Sequence, residues 1–219
     1  MGLKKIVFEN KMLYNLAQIV KNARSKLMSQ CSIQNDGNAR FTKDIQGKNH
    51  KIIINKNCTI YDATIRIRGN NNTIIFGENC HIGPDCSFWL EGNDVKITIG
   101  DNTSFTRLCQ LNAQEDGSEI SIGSDCMFSN QIIVRTSDSH PIYDIVTGKR
   151  INNPASIILG DHVWICPNTK IMKGGGIDSG SIIGSDSTVS KQIPTNVLAV
   201  GRPARVVREN VRWTREKLF

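Results

Sequence analysis

Residues 159–189 read LGDHVWICPNTKIMKGGGIDSGSIIGSDSTV, and an apolar residue recurs in this stretch at every sixth position. The six positions are Leu159, Ile165, Ile171, Ile177, Ile183 and Val189. A period of six matches neither the 3.6-residue period of an amphipathic helix nor the two-residue period of a half-buried strand. It is typical of a parallel β-helix, in which each hexad forms one face of a prism and successive coils stack along an axis. The run therefore predicts an all-β solenoid.

The same spacing continues upstream with interruptions. Apolar residues six apart occur in four earlier sets: Ile54 and Ile60; Phe76, Ile82 and Phe88; Ile99, Phe105 and Leu111; Ile122, Phe128 and Val134. These sets begin 22 or 23 residues apart where three hexads need 18, so each early coil carries four or five extra residues. The extra segments, such as Asn70–Thr73, are rich in residues that tolerate turn and bulge geometry. Arg66 occupies an apolar position between Ile65 and Ile67, which predicts a local register shift.

The fifth position of each hexad is small or β-branched, as a tightly wound corner requires. In the first hexads of the coils this position holds Cys58, Cys80, Thr103, Cys126, Val163 and Ser181. The three cysteines are therefore predicted to be small buried hydrophobes. The chain has seven cysteines and no CxxC pair, so the spacing indicates neither a disulfide framework nor a zinc ribbon. We expect no bound metal.

Two segments lie outside the repeat, which divides the chain into residues 1–30, a solenoid domain over 31–204 and residues 205–219. Residues 3–28 carry the apolar stripe of an amphipathic helix. One interpretation is a cap on the open end of the prism or a subunit contact. The other is peripheral association with a membrane surface or a partner, favoured by Lys21, Arg24 and Lys26. Residues 205–219 are rich in Arg and are predicted to form a short C-terminal helix.

The largest break in the repeat lies between Val134 and Leu159. These residues are 25 apart where one coil needs 18, so the surplus is predicted to leave the prism as a loop over residues 138–156. Long loops on a rigid scaffold often carry function. This loop carries His140, whose neutral imidazole is suited to accept a proton near pH 7. The alternative is a histidine with only a structural role.

Two further features are candidates for binding. Trp164 is a large ring at a corner otherwise built from small residues, so we expect it to project outward and to meet a ligand or a neighbouring subunit. Arg205 and Arg208 are three apart and would share one face of a helix, where two guanidinium groups can hold a phosphate. The alternative for the arginines is a solvated basic helix.

The composition limits the class of partner. A net charge of +7 and a pI near 9.1 suit an anionic partner, such as an acidic polysaccharide, a membrane surface, a phosphorylated cofactor or nucleic acid. The basic residues are scattered and no nucleic-acid-binding motif is present, so we expect no nucleic acid partner. The sequence shows no secretory signal core and no stretch of transmembrane length, and we expect a cytoplasmic protein.

Several of these strings together resemble the hexapeptide-repeat acyltransferases, a left-handed parallel β-helix family. The strings are Asp161–Ile165, Ile183–Lys191, Ile193–Pro194 and Gly201–Arg208. Ser137–Tyr143, with Trp164 downstream, is most similar to the O-acetyltransferases of sialic acid capsular polysaccharides. The resemblance implies a homotrimer with active sites between subunits, acetyl-CoA as the donor, and an anionic polysaccharide as the acceptor.

The resemblance also implies roles for individual residues. His140 matches the general base that deprotonates the acceptor hydroxyl, and Trp164 matches a residue lining the acetyl and pantetheine site. The matches along the CoA arm and near its phosphates are Ser185, Ser190, Lys191, Arg205 and Arg208. The candidate acceptor contacts close to His140 are Arg135, Tyr143, Lys149 and Arg150. Cys166 and Pro167 depart from the family pattern, which usually has a glycine after the Trp-Ile pair.

The sequence therefore predicts an O-acetyltransferase that acts on a sialic acid-containing capsular polysaccharide by direct transfer. One rival within the fold acetylates a small sugar, an amino sugar nucleotide or a xenobiotic. A second rival, zinc carbonic anhydrase chemistry, needs three converging histidines, and His81, His140 and His162 lack that family's spacing. A third makes the prism a scaffold or binding module without catalysis.

Overall fold

The computed structural model describes residues 30–218, which form 22 strands and no helix within that range. The helix expected over residues 3–28 lies outside the described residues. The first eleven strands are β1 Cys31–Asn35, β2 Asn38–Lys48, β3 His50–Ile54, β4 Thr59–Asn70, β5 Thr73–Phe76, β6 His81–Ile82, β7 Ser87–Asn93, β8 Lys96–Ile99, β9 Ser104–Arg107, β10 Gln110–Gln114 and β11 Glu119–Ile122. The others are β12 Met127–Asn130, β13 Ile133–Arg135, β14 Ile157–Leu159, β15 Trp164–Ile165, β16 Lys170–Met172, β17 Gly176–Ile177, β18 Ile182–Ile183, β19 Thr188–Val189, β20 Gln192–Ile193, β21 Leu198–Gly201 and β22 Ala204–Arg208.

The strands stack in parallel into the three faces of a prism, as the six-residue period predicts. The first face contains β1, β3, β5, β8, β11, β14, β17 and β20. The second face contains β6, β9, β12, β15, β18 and β21, and the third contains β7, β10, β13, β16 and β19. The long strand β4 pairs with both β6 and β7, so it bends around the corner that joins the second and third faces.

The core is a column of the ladder side chains along the prism axis. All six residues of the strict run are buried, as are the apolar residues of the four upstream sets. Phe105 and Phe128 stack with ring centroids 4.3 Å apart, and Phe76 meets Phe88 edge to face at 5.0 Å. Each such side chain contributes about 1.5–3 kcal/mol when fully buried. The coils are therefore held by the residues that set the period.

The corners confirm the small-residue pattern. Cys58, Cys80 and Cys126 are buried beneath the next coil. The Thr103 hydroxyl donates to the Gly123 carbonyl at 3.0 Å, and the thiol of Cys80 donates to the Gly100 carbonyl at 3.1 Å, so these corners also satisfy backbone acceptors. Burial raises the pKa of the Cys126 thiol to about 12, which keeps it protonated and unreactive.

The early coils show the turn segments and the register shift that the sequence predicts. Asn71 and Asp94 in the extra segments adopt positive φ angles of 60° and 58°. The register shift expected at Arg66 is present: Ile60 pairs with Ile82 and Ile65 with Phe88, so β4 spans in five residues what the next coil spans in six.

The C-terminal helix prediction is wrong. Residues Ala204–Arg208 form β22, which pairs antiparallel with β21, and residues 209–218 continue without a helix. Strand β21 leaves an open edge of backbone donors and acceptors, and the β-branched Val206 and Val207 favour an extended chain that pairs with it. Arg205 and Arg208 therefore do not share a helix face, although both remain exposed.

Candidate active site

The loop over residues 138–156 leaves the prism at the corner between the third and first faces, as predicted. Its arms form a small hairpin, with a bridge between Tyr143 and Arg150. The Ile151 amide donates to the Ile142 carbonyl at 2.9 Å, which closes the base of the hairpin. Tyr143 and Lys149 are exposed near its tip. The loop is thus an ordered projection rather than an unstructured excursion.

Asn152 joins the two arms of the loop, and no motif or spacing in the sequence points to this role. Its side chain is only 7% exposed. Its amide nitrogen donates to the His140 carbonyl and to a carboxylate oxygen of Asp138, each at 2.9 Å, and its oxygen accepts from the Ile142 amide at 2.7 Å. One buried amide therefore fixes the backbone on both sides of His140.

A second anchor joins the loop to the third face. The Arg150 guanidinium makes a bidentate pair with Glu115, with one N–O distance of 2.8 Å, and Ser137 also donates to that carboxylate. The hydrogen bond from Arg150 holds the pKa of Glu115 below its usual range. Arg150, a predicted acceptor contact, thus has its guanidinium engaged within the chain.

A third anchor is the ion pair between Asp138 and Lys173, with an N–O distance of 2.7 Å. Lys173 also donates to the Asn153 carbonyl at 3.1 Å, which ties the far arm of the loop to the end of β16. The hydrogen bonds from Lys173 and Asn152 hold the pKa of Asp138 below its usual range. Asp138 therefore stays ionised at neutral pH.

His140 itself combines a fixed backbone with an open side chain. The residue is exposed, and within residues 30–218 neither ring nitrogen has a hydrogen-bond partner. On its other side the Arg135 guanidinium donates to the Ser139 hydroxyl at 2.9 Å, and that hydroxyl donates to Gln114 at 3.1 Å. With its backbone held and its ring free, His140 presents an imidazole that is available to a hydroxyl approaching from outside the chain.

Trp164 lies at the start of β15 on the second face, where residues of the C-terminal segment cover it. The Trp213 ring, 6% exposed, packs on Trp164 with centroids 5.8 Å apart and stacks on His162 at 4.0 Å. The Trp213 indole donates to the His162 carbonyl at 2.9 Å. The indole nitrogen of Trp164 is buried with no hydrogen-bond partner among the described residues. The ring projects from the prism as expected, but it meets a segment of its own chain.

Arg215 extends this cover across three coils. It donates to Asp125 at 2.6 Å and to the carbonyls of Asn102 and Cys126 at 3.1 and 2.8 Å. Burial opposes ionisation of Asp125, but hydrogen bonds from Arg215 and His162 hold its pKa below the usual range. No sequence pattern predicts this interaction, because Arg215 and Asp125 are 90 residues apart.

The described residues do not bring all the candidates into one place. Ser185, Ser190 and Lys191 are exposed on the last coils, and Arg205 and Arg208 are exposed on β22. The first face separates the corner that carries His140 from Trp164. Residues 30–218 contain no group of three or more His, Cys, Asp or Glu side chains placed to hold a metal ion. No helix in the described part of the chain is long and apolar enough to cross a membrane.

Comparison with known proteins places this architecture in a class of enzymes. No family model matches the sequence. The polysialic acid O-acetyltransferase of Neisseria meningitidis is 34% identical over 178 residues, which is 78% of each chain. The polysialic acid O-acetyltransferase of Escherichia coli O1:K1 is 39% identical over 93 residues, so the match covers 42% of this chain and only 30% of that protein.

Solved structures agree with the sequence comparison. The polysialic acid O-acetyltransferase OatWY aligns with a TM-score of 0.72 and 28% identity over 86% of this chain and 91% of that one. Galactoside acetyltransferase in complex with coenzyme A aligns with a TM-score of 0.50 and 26% identity over 64% and 66%. The solenoid is a left-handed parallel β-helix. The chain belongs to the hexapeptide-repeat acyltransferases, in the group that contains the polysialic acid O-acetyltransferases.

Proposed function

We propose that this protein transfers the acetyl group of acetyl-CoA to a hydroxyl of a sialic acid-containing capsular polysaccharide, with His140 as the general base. The observation that carries the proposal is the state of His140: its backbone is fixed through Asn152, and its imidazole is exposed with no partner in the described chain. The names of the relatives support the acetyl transfer and the acidic acceptor. The coenzyme A complex of the galactoside enzyme supports the donor.

In the proposed reaction His140 takes the proton of the acceptor hydroxyl as its oxygen attacks the thioester carbon. A tetrahedral oxyanion forms, the carbon–sulfur bond breaks, and the imidazolium returns the proton to the departing thiolate of CoA. General base catalysis of this kind contributes about a hundred- to ten-thousand-fold in rate. A backbone N–H near Trp164 is the proposed donor to the oxyanion. Burial raises the pKa of Cys166, which disfavours a covalent route through that thiol.

We further propose that the complete site forms between subunits of a homotrimer. Since the first face separates His140 from Trp164 within one chain, the loop of one protomer must meet the second face of another for both to touch the same substrates. Ile145 and Val146 at the loop tip are 97% and 89% exposed, and Ile158 is exposed on the first face. Apolar side chains exposed in this way suit burial against a neighbouring subunit.

The residues proposed to bind CoA lie on the last coils and on β22. Ser185, Ser190 and Lys191 are proposed to line the CoA arm, and the exposed cations Arg205 and Arg208 to approach its phosphates. Among the acceptor candidates, Arg135, Tyr143 and Lys149 are proposed to contact the polysaccharide, whereas Arg150 holds the loop. We place the reaction in the cytoplasm, with residues 1–30 as the candidate for peripheral membrane contact.

The test is an acceptor screen of the purified protein with acetyl-CoA, reading free thiol release. Polysialic acid, neutral glycans, chloramphenicol and an amino sugar nucleotide cover the acidic polymer and its rivals. We expect thiol release with polysialic acid, reduced at least a hundredfold in His140→Ala. His81→Gln is the matched control, because His81 is exposed and its imidazole bonds only Thr59 in the described chain. Unchanged turnover in His140→Ala would overturn the assignment of the base.

A further inference from the structure

The third face carries an outward column of side chains that begins next to His140. Strand pairing places Arg135 beside Asn112, Asn112 beside Trp89, and Trp89 beside Arg66 on successive coils. Neighbouring strands are roughly 4.8 Å apart, so the column extends about 14 Å from Arg135 to Arg66. Its near end lies close to the base, because Arg135 donates to the hydroxyl of Ser139.

A cavity of about 320 Å³ opens along this column, within the range of small-molecule sites. Its polar lining comes from Thr64, Arg66, Ser87, Trp89, Gln110 and Asn112. Hydroxyls, amides, a guanidinium and an indole are the groups that bind sugars by hydrogen bonding and stacking. The cavity therefore offers donors and acceptors but no carboxylate.

Trp89, in the middle of the column, has an unsatisfied hydrogen-bond donor. Its indole nitrogen is buried and has no hydrogen-bond partner among residues 30–218. A buried donor without a partner costs about 1–3 kcal/mol, so such groups are rare unless something outside the chain satisfies them. The Arg66 guanidinium lies over the same ring, 5.2 Å from its centroid, and about half of the Arg66 side chain is exposed.

The charge of the column suits an anion. Arg66 and Arg68 both approach Asp44, at 3.4 and 2.6 Å, so two guanidinium groups share that carboxylate. From Arg66 to Arg135 the column itself contains only Trp89 and Asn112 between the two cations. Arginine can fork onto a carboxylate with two parallel hydrogen bonds.

We propose that this column is an extended acceptor track for a polymer of carboxylated sugars. The reacting sugar lies at His140, and the following sugars run along the third face toward the early coils. Trp89 contacts a ring and donates its indole hydrogen to a sugar oxygen, and Arg66 binds a carboxylate further along. The proposal rests on the proposed acceptor class and adds to it a preference for chain length, since a short acceptor cannot reach Arg66.

The track is tested by binding, without acetyl-CoA, of long-chain polysialic acid and of disialic acid, measured by calorimetry. We expect Arg66→Gln and Trp89→Phe each to weaken binding of the long chain by about tenfold, the effect of losing one hydrogen bond to a charged or buried group. The same substitutions are expected to affect disialic acid far less. Arg40→Gln is the matched control, because Arg40 also lies over an aromatic ring, that of Tyr61, but off the column.

The outcomes separate the track from the proposed function. Equal losses for both acceptors, or no loss for the long chain, would overturn the track even if the wild-type enzyme acetylates polysialic acid. Length-dependent binding would support the track even if acetyl transfer went to another acceptor. The column could instead be covered by a neighbouring subunit, and light scattering of each variant tests this. If Arg66→Gln dissociates the oligomer, the column is a subunit interface and the track is overturned.

Discussion

The loop over residues 138–156 and the C-terminal segment over residues 209–218 both leave the hexad repeat, yet they treat their aromatic rings in opposite ways. In the loop, side-chain hydrogen bonds fix the backbone around His140, and the His140 imidazole has no partner in the described chain. The C-terminal segment buries its own ring, Trp213, and with it covers Trp164. A segment that leaves the repeat is therefore not, for that reason alone, a site of chemistry. What distinguishes the loop is a fixed frame around an open side chain.

The largest effect is expected when the hydrogen bonds that fix the backbone around His140 are removed. Asn152→Ala deletes four side-chain hydrogen bonds on the two arms of the loop, one of them from Arg150. We expect kcat to fall about a hundredfold, because a misplacement of roughly 1 Å costs about that much in rate. The solenoid core is untouched, so the melting transition of the coils should remain cooperative.

Asn153→Ala is the matched control, because only the backbone carbonyl of Asn153 makes a described hydrogen bond. Kinetics of both variants with saturating acetyl-CoA would measure the difference. If kcat in Asn152→Ala stays within twofold of wild type, the frame does not position the base.

For the C-terminal segment we expect a loss of stability instead. Trp213→Ala removes a buried indole that contacts both His162 and Trp164. We expect the free energy of unfolding to fall by about 3 kcal/mol, typical of a buried Trp-to-Ala change, with a smaller effect on kcat than in Asn152→Ala. Chemical denaturation measures it, with the exposed neighbour Arg212→Ala as control. A collapse of kcat without loss of stability would make Trp213 part of the catalytic machinery.

The smallest expected effect is an acid-dependent loosening of the loop. The pKa values of Glu115 and Asp138 are held below their usual range by Arg150 and Lys173. A carboxylate with a lowered folded-state pKa stabilises the fold above its unfolded pKa of about 4, and this contribution is lost as the pH falls through the folded-state value. The loop should therefore loosen below about pH 4 while the apolar coils hold.

Hydrogen exchange of the loop amides, normalised to core amides at each pH, measures this change. Glu115→Gln should give the loosened state already at neutral pH. Glu119→Gln is the control, since the Glu119 side chain pairs with Lys96 and only its backbone amide, which the substitution keeps, bonds the loop at Ser156. Loop protection that is independent of pH in the wild type would show that the two ion pairs do not hold the loop.

The features that could be predicted from the sequence are the repeat itself and the places where its spacing changes. The ladder, the small corners and the surplus between Val134 and Leu159 each leave a regular or countable trace. The anchors leave none: Arg150 meets Glu115 across 35 residues, and Trp213 meets His162 across 51. The C-terminal strand was missed for a related reason, because Ala204–Arg208 takes its form from the open edge of β21, which exists only after the coils have folded.

In the proposed trimer, the loop of one protomer and the Trp164 face of another complete one site. The most direct measurement mixes His140→Ala and Trp164→Ala protomers, each expected to be far less active alone than wild type, by unfolding and refolding them together. Random mixed trimers would regain about a quarter of wild-type acetyl transfer, because one site in four then combines an intact His140 with an intact Trp164. Mixed trimers that form and show no regained activity would contradict the claim.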